Sequence, residues 1–243
     1  MAKVQLVVFD MAGTTVKDAN EVEHCFDVAA KATGLQVDRD RLRALMGWSK
    51  KRVFQTLWSE QMDKADPQYP AQVEASYQQF KTVLEHHYLT QPVQPTAGCL
   101  ELFDWLKSQG IQIALNTGFY REVTNIILDR LQWNQGLDGT YMGSEHSLIQ
   151  ASVTPSEIYN QEGRPAPYMI QKAMYQLGIL DPQTVIAIGD TPSDLQAGIN
   201  AGCRLSLAVT NGTHTREQLE PHPHHGLLSS LSDLKEIIAA LSR

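Results

Sequence analysis

Cysteine is scarce in this sequence, which has only Cys25, Cys99 and Cys203 among its 243 residues. The three are far apart, odd in number and without a Cys-x-x-Cys pair. Such a pattern is typical of reduced thiols that are buried as small hydrophobic side chains. We therefore expect a cytoplasmic protein without a disulfide framework.

An excess of positive charge is also missing. The chain has 20 Lys and Arg residues against 27 Asp and Glu residues, which gives a formal net charge of −7. This balance argues against nucleic acid or an acidic membrane surface as a partner. A small anionic metabolite would then need a local positive site on the protein.

Long apolar runs are absent too, since no window approaches 18 apolar residues without a charge. The N-terminal sequence MAKVQLVVFD lacks the apolar segment and cleavage site of a signal peptide. We expect neither a membrane span nor secretion, and hence a soluble protein. The hydrophobic content of 42% and the charged content of 19% are ordinary for a globular protein, and the length suits one α/β domain with a smaller insert.

Short apolar runs separated by helical patterns predict an α/β fold with a doubly wound parallel sheet. Asp10, Thr117 and Asp190 each lie at or just after the end of such a run. Because ligands bind beyond the carboxyl ends of parallel strands, we expect these three side chains to meet there. The predicted strands are Gln5–Asp10, Ile111–Gly118, Thr184–Asp190 and Arg204–Gly212; the predicted helices between them are Ala97–Gln109, Arg121–Leu131 and Pro167–Leu177.

Residues 20–92 interrupt this alternation with four helical patterns and no strand pattern. We interpret them as a helical cap domain inserted into a core domain of residues 1–19 and 93–243. Beside the crevice, such an insert could act as a lid. Its Trp48, Trp58 and Tyr69 could form the surface of a homodimer. The predicted helices are Asn20–Gly34, Asp38–Met46, Ser49–Gln61 and Pro70–Tyr88.

Carboxylates dominate the predicted strand ends. Asp10 is followed by Gly13 and two threonines, a tight turn whose backbone amides can face a phosphate. Asp190 is followed four residues later by Asp194, near the start of a helix that begins around Ser193. Three carboxylates brought together repel one another unless a cation is present. Oxygen ligands without His or Cys nearby favour Mg²⁺.

Two further residues could hold phosphoryl oxygens in that crevice. Thr117 offers a hydroxyl group, and Arg164 in GRPAPYM offers a planar guanidinium fork. Taken singly, each of these features is about as often a turn or a helix cap as a functional site. Their order along the chain and their shared location favour a phosphoryl-binding site.

With these residues in order, the chain resembles the haloacid dehalogenase superfamily from Val4 to about Leu241. The resemblance implies that Asp10 is a nucleophile that forms an aspartyl-phosphate, which water later hydrolyses. It also implies that Thr14, Thr117, Gly118 and Arg164 bind the substrate. Mg²⁺ would be ligated by Asp10, the main-chain carbonyl of Ala12 and Asp190, with Asp194 close by.

Ala12 stands where most phosphatases of this superfamily have an aspartic acid that protonates the leaving oxygen. A general acid contributes about 10²–10⁴-fold to a rate, so its loss needs an explanation. The DxAGT sequence and an arginine in the third motif resemble the phosphonoacetaldehyde hydrolase (phosphonatase) branch. In that branch a cap lysine forms a Schiff base, whose iminium accepts the electrons of the breaking C–P bond.

The segment from Met46 to Lys50, MGWSK, resembles the phosphonatase segment that carries this lysine. The resemblance implies that Lys50 forms the imine and that Met46 and Gly47 contribute to substrate binding. Ser49 as an N-cap would put Lys50 in the first turn of a helix. The helix dipole and the neighbouring Lys51 and Arg52 would then lower the pKa of the amine. Without the resemblance, a Lys-Lys-Arg run is usually a solvated helix surface.

Two departures from that branch leave the substrate open. Val53 stands where phosphonatase has a histidine, and Phe119 stands where it has a tyrosine. His24 or Tyr120 could supply the missing proton transfer. The leading hypothesis is therefore a Mg²⁺-dependent hydrolase of a small phosphonoaldehyde. The alternatives are a phosphate monoesterase of the phosphoglycolate phosphatase type, in which Lys50 recognises the substrate anion, and a non-catalytic binder of a phosphorylated metabolite.

Overall fold

A computed structural model describes residues 3–241, and within them the strands form one six-stranded parallel sheet. The strand order is β3-β2-β1-β4-β5-β6, so the first strand lies in the middle and the chain winds outward in both directions. This arrangement confirms the doubly wound α/β fold. The strands are β1 (Leu6–Phe9), β2 (Gln112–Asn116), β3 (Ala151–Val153), β4 (Val185–Gly189), β5 (Leu205–Val209) and β6 (Gly226–Leu228).

Helices cover both faces of the sheet and fill the connection after β1. Their bounds are α1 (Glu21–Thr33), α2 (Arg39–Ala44), α3 (Lys50–Ser59), α4 (Tyr69–Thr90), α5 (Cys99–Ser108), α6 (Arg121–Leu131), α7 (Tyr168–Gln176), α8 (Pro192–Asn200), α9 (Arg216–Leu219) and α10 (Leu234–Leu241). Short 3₁₀ segments lie at Pro155–Glu157, Tyr159–Gln161, Pro182–Thr184 and Leu231–Asp233.

The alternation of side chains along β1 gives the sheet two buried faces. Val7 and Phe9 point into the larger hydrophobic cluster, and Leu6 and Val8 point into the other, with Met169 of α7. All four residues of β1 are buried, which explains why the strand reads as a continuous apolar run. The four strands predicted from such runs are confirmed.

Two strands of the sheet, β3 and β6, are not predicted from the sequence. Each is only three residues long, and their sequences, ASV and GLL, are not the longer β-branched runs that predict a strand. They lie at the two outer positions of the sheet, where each has only one neighbouring strand. Pairing with β2 and β5 therefore defines them more than their own composition does.

The segment between β1 and α5 has its own aromatic core. The rings of Phe26, Phe54 and Phe80 lie with centroids 4.2–5.6 Å apart, on α1, α3 and α4. The four predicted helices of this segment are present, with ends shifted by a few residues. Its division from the rest of the chain as a separate cap domain stays a prediction.

One of the three aromatic residues proposed for a dimer surface is buried. Trp58 is 8% exposed, and its Nε1–H donates a hydrogen bond to Ser76 Oγ of the same chain at 2.9 Å. Trp58 therefore cannot serve a partner, whereas Trp48 and Tyr69 are partly exposed. A homodimer through this segment stays a prediction. Within residues 3–241, every helix is too short or too polar to pass through a lipid bilayer.

Candidate active site

The carboxyl ends of β1 and β4 bring three carboxylates together, as the strand spacing predicts. Oxygens of Asp10, Asp190 and Asp194 all lie within 4.8 Å of one another, and the three residues are at most 6% exposed. Asp10 follows β1 directly, and its N–H donates to Ile188 O of β4 at 2.9 Å. This backbone bond holds the two strand ends side by side.

Asp190 lies deepest in the cluster and is completely buried. Burial, followed by the negative charge of Asp10, raises the pKa of its carboxyl to about 6. The Thr213 N–H donates to Asp190 Oδ2 at 2.6 Å, and the Thr14 hydroxyl donates to Oδ1 at 3.5 Å. Thr14 thus contacts the Asp190 carboxylate but does not line the pocket. Its role in substrate binding stays a prediction.

Arg164 is the positive residue nearest to the carboxylates and is 3% exposed. Its Nη2 donates to Asp10 Oδ1 at 2.7 Å, and its Nη1 pairs with Asp194 Oδ1. Asp194 is fixed in turn by Thr191 at the N-terminus of α8, where each residue accepts a hydrogen bond from the other's backbone N–H. Among residues 3–241, the buried Nε–H of Arg164 has no acceptor. A phosphoryl oxygen would satisfy it.

The donor set fits a divalent cation. Three clustered carboxylates carry more negative charge than Arg164 alone offsets, and burial followed by the negative charge of Asp10 raises the pKa of Asp190. Oxygen donors without a nitrogen or sulfur donor suit a hard ion such as Mg²⁺. Ala12 lines the same pocket, but its main-chain carbonyl as a metal ligand stays a prediction.

The loop after β2 packs directly against the loop that precedes α3. A Cβ atom at Gly118 would overlap the carbonyl oxygens of Gly47 and Trp48, so only glycine allows this approach. A Cβ atom at Gly47, whose φ is +83°, would overlap the hydroxyls of Thr191 and Ser193. The loop before α3 is thus packed tightly against the loop after β2 and against the start of α8.

Thr117 faces the pocket from this loop. Its Oγ1 accepts a hydrogen bond from the Phe119 N–H at 3.2 Å and keeps its own proton for another acceptor. The residue is 2% exposed and lines the pocket together with Gly118, Met46 and Gly47. These four residues, all of them proposed for substrate binding, therefore line one cavity.

Lys50 reaches the same cavity from the first residue of α3 and is only 6% exposed. Among the described residues its Nζ has no hydrogen-bond or ion-pair partner, and it lies 5.1 Å from the centroid of the Phe119 ring and 5.7 Å from that of Phe26. A Lys-Lys-Arg run usually indicates a solvated helix surface. Here Lys51, and not Lys50, lies on such a surface: it pairs with Glu74 and is 39% exposed.

The pKa of Lys50 is lowered to about 8, but by causes other than those expected from the sequence. Burial comes first and the positive charge of Arg164 second, whereas Asp10 opposes the shift. Lys51 and Arg52 are not among the causes. Ser49 occupies the N-cap position as expected, but its side chain makes no capping hydrogen bond.

The two side chains suggested as substitutes for the missing proton donor lie outside the pocket. His24 is exposed on α1. The Tyr120 hydroxyl donates to Glu85 Oε1 at 2.8 Å, and burial together with this carboxylate raises its pKa. Val53 is fully buried and has no polar atom to offer.

Several pocket residues escaped the sequence analysis: Asp18, Val22, Thr191 and Thr213. Asp18 and Val22 lie where β1 leads into α1, a position that no motif marks. Thr213 follows β5, whose carboxyl end could have been searched in the same way as those of β1 and β4. The cavity is small, with a volume of about 30 Å³.

Comparison with known proteins agrees with this geometry. A family model described as a haloacid dehalogenase-like hydrolase matches residues 4–202. A phosphonoacetaldehyde hydrolase from Bacteroides fragilis is 25% identical over 253 aligned residues, which cover 99% of this chain and 90% of that protein. Another phosphonoacetaldehyde hydrolase, from Latilactobacillus sakei, is 30% identical over 213 residues, with 83% of this chain and 74% of that protein covered.

Solved structures share the fold. A phosphonoacetaldehyde hydrolase-like protein from Oleispira antarctica superposes with a TM-score of 0.77 over 98% of this chain and 92% of that one. Its sequence is 19% identical, so the likeness extends to the fold alone. The helical segment between β1 and α5 lies within the superposed part.

Proposed function

Because the chain belongs to the haloacid dehalogenase-like hydrolase family, we propose that it is a Mg²⁺-dependent hydrolase that cleaves the C–P bond of a small phosphonoaldehyde. The observation that carries the proposal is Lys50, a buried amine that has no hydrogen-bond partner among residues 3–241 and that faces the same cavity as Asp10. A lysine that only stabilised the fold would be paired or exposed. Residues 20–92 would form the cap domain that positions Lys50 at the active site.

Asp10 is the nucleophile in this proposal. Its carboxylate attacks phosphorus, while Arg164 and Thr117 donate hydrogen bonds to the phosphoryl oxygens. Arg164 already lies 2.7 Å from Asp10 Oδ1, so it would hold the transferred group next to the attacking oxygen. Water then hydrolyses the aspartyl-phosphate and releases phosphate.

Lys50 supplies the electron sink. Its neutral amine attacks the aldehyde carbon, and loss of water leaves an iminium. As the phosphoryl group moves to Asp10, the electrons of the C–P bond enter the iminium and give an enamine. Protonation and hydrolysis of the enamine release the product aldehyde and the free amine. No alkoxide forms as a leaving group, so Ala12 can stand where phosphatases keep an acid.

Asp10, Asp190, Asp194 and the carbonyl of Ala12 would hold the Mg²⁺ ion. The bound ion would neutralise the phosphoryl oxygens and offset the charge that the three carboxylates concentrate. The residues of this chain fix the geometry around it: Thr213 and Thr14 orient Asp190, and Thr191 orients Asp194. Without these bonds the carboxylates would turn apart under their mutual repulsion.

The names of the relatives from Bacteroides fragilis and Latilactobacillus sakei support the same substrate class. The small cavity also favours a short substrate over an oligomer or a nucleotide. Apart from the charged groups, the walls near Lys50 are the apolar side chains of Phe119, Val22 and Met46, which suit a two- or three-carbon chain.

A phosphate monoesterase of the phosphoglycolate phosphatase type is the second candidate. Two observations favour it: Val53 is buried and apolar, and the Phe119 ring next to the Lys50 amine carries no hydroxyl. In that case the positively charged ammonium group of Lys50 would bind the carboxylate of the substrate. A proton for the leaving oxygen would still have to come from a residue other than Ala12.

Borohydride trapping separates the two candidates. Incubation with phosphonoacetaldehyde and borohydride should give a reduced adduct on Lys50, located by mass spectrometry, and Lys50→Ala should abolish C–P cleavage. Lys51→Ala is the matched control and should retain both. Fast hydrolysis of phosphate esters at matched concentration, without adduct or phosphonate turnover, would establish the monoesterase instead.

A further inference from the structure

The cavity contains one ionisable side chain that the proposed reaction does not use. Its ionisable lining residues are Asp10, Asp18, Lys50, Arg164 and Asp190. The first is the proposed nucleophile, the lysine forms the imine, the arginine binds phosphate, and Asp190 belongs to the metal cluster. Asp18 is left without a role, although imine formation needs a proton donor and Val53 supplies none.

The local structure fixes Asp18 at the entrance of α1. Its Oδ1 accepts hydrogen bonds from the backbone N–H groups of Glu21 at 2.8 Å and Val22 at 3.4 Å. These bonds orient the carboxyl group and leave its second oxygen for other partners. The neighbouring carboxyl group of Glu21 acts on this carboxyl group. Two neighbouring carboxyl groups repel one another when both are charged, so one of them tends to keep a proton.

The surroundings determine which of the two keeps that proton. Burial and the hydrogen bond with Glu21 raise the pKa of Asp18 to about 7. Burial also acts on Glu21, but bonds from Asp18 and from the backbone outweigh it and lower its pKa. Asp18 is therefore the protonated member near neutral pH. The charged and titratable groups that interact with this pair are Lys50 on α3, His87 and Tyr88 on α4, Cys25 on α1, and Asp190 at the end of β4.

We propose that Asp18 is the proton donor of the pocket, and that it protonates the hydroxyl of the carbinolamine which Lys50 forms with the substrate aldehyde. This inference rests on the imine route of the proposed function. The O–H bond of Asp18 breaks, its proton joins the carbinolamine hydroxyl, and the C–O bond breaks to release water. The nitrogen lone pair forms the C=N⁺ bond, and Asp18 is left as a carboxylate.

The same residue completes the cycle in reverse. After C–P cleavage and protonation of the enamine, water adds to the iminium carbon. Asp18 takes a proton from that water and returns to its starting state. One proton leaves Asp18 and one comes back, and the further proton that the enamine carbon takes up comes from solvent water.

Asp18→Asn is the decisive variant. Asparagine caps a helix about as well as aspartate, so the hydrogen bonds to the N-terminus of α1 are retained while the acid is lost. Asp38→Asn is the matched control, because the Asp38 side chain also accepts a hydrogen bond from the first turn of a helix, from the Arg41 N–H at 2.9 Å, and does not line the pocket. Asp18→Ser provides a second capping residue without an acid.

The measurement is the rate of the Lys50 adduct in single-turnover borohydride trapping with phosphonoacetaldehyde. We expect Asp18→Asn and Asp18→Ser to slow trapping by about 10²-fold, within the range for loss of a general acid, and Asp38→Asn to leave it unchanged. The pH profile is a second readout. The wild-type rate should fall at alkaline pH as Asp18 loses its proton. The rate of Asp18→Asn should instead rise with pH and level off once Lys50 is neutral.

Failure of this inference differs from failure of the proposed function. If wild-type protein forms an adduct and Asp18→Asn forms it at the same rate with the same pH profile, Asp18 is only a helix cap. If the wild-type protein forms no adduct, the imine route itself is wrong. Thermal melting of each variant shows that the lost rate does not come from unfolding.

Discussion

The Nζ atom of Lys50 lies 5.1 Å from the centroid of the Phe119 ring, which brings the first turn of α3 onto the loop after β2. The ring face attracts the ammonium form, whereas burial and the charge of Arg164 disfavour it. The outcome is a pKa of about 8, close enough to neutral for part of the amine to be a nucleophile.

Phe119→Leu should therefore lower the pKa of Lys50 further, because it removes an attraction that only the charged form feels. A cation–π contact of roughly 1 kcal/mol corresponds to a shift of somewhat less than one pH unit. In the Asp18→Asn background, where Lys50 alone sets the profile, the pH at which borohydride trapping reaches half its maximum measures this shift. Phe119→Tyr keeps the ring and should leave the midpoint in place; an unmoved midpoint in Phe119→Leu would show that the ring does not act on the charge.

Gly118→Ala should open the site without unfolding the protein. The added Cβ would overlap the carbonyl oxygens of Gly47 and Trp48, so the two loops must separate. Lys50 follows these residues directly and would withdraw from Asp10. We expect kcat/KM to fall at least 100-fold, since small displacements of catalytic groups have effects of this size.

Gly139→Ala is the matched control for this change. Gly139 has no heavy atom within 4 Å of an added Cβ and no positive φ, so the same substitution meets no obstacle there. Its activity should equal that of the wild type. A Gly118→Ala variant with full activity would mean that close contact between these loops is not needed for turnover.

The sequence predicts the central sheet well because each inner strand is buried on both faces. The apolar runs that end at Asp10 and Asp190 have no other stable environment, and parallel pairing then brings their ends together. The carboxylate cluster follows from this pairing without knowledge of the loops.

Other parts of the site depend on contacts that no local pattern records. The pKa of Lys50 is set by burial against α1 and by Arg164, which is distant in sequence, and not by its neighbours Lys51 and Arg52. Asp18 belongs to the pocket only because α1 turns back over the strand ends. Such relations arise from how the helical segment packs on the sheet.

Removal of the metal should reveal the repulsion among the carboxylates. At a Mg²⁺ concentration 100 times its Kd, binding adds about 2.7 kcal/mol to the free energy of unfolding. We expect the melting temperature to rise with Mg²⁺ and to fall again with a chelator. Asp190→Asn should lose most of this Mg²⁺-dependent rise, whereas Asp138→Asn, at an exposed carboxylate, should retain it. An equal rise in Asp190→Asn would place the ion elsewhere.

Lys50→Met should stabilise the protein while it removes the proposed imine chemistry. The folded-state pKa of Lys50, about 8, is below its ordinary value of 10.5, so the folded protein holds the charged form at a disadvantage on the order of 3 kcal/mol. Below pH 8 the lysine is protonated in both states and this cost is complete. Between pH 8 and 10.5 the unfolded chain binds more protons, so the wild type gains stability as the pH rises. The excess melting temperature of Lys50→Met should therefore be several degrees at pH 7 and should shrink towards pH 10.

Lys51→Met, at a partly exposed position paired with Glu74, should give no such pH-dependent gain. An advantage of Lys50→Met that stayed constant from pH 7 to pH 10 would mean that the gain comes from packing of the methionine and not from removal of a buried charge.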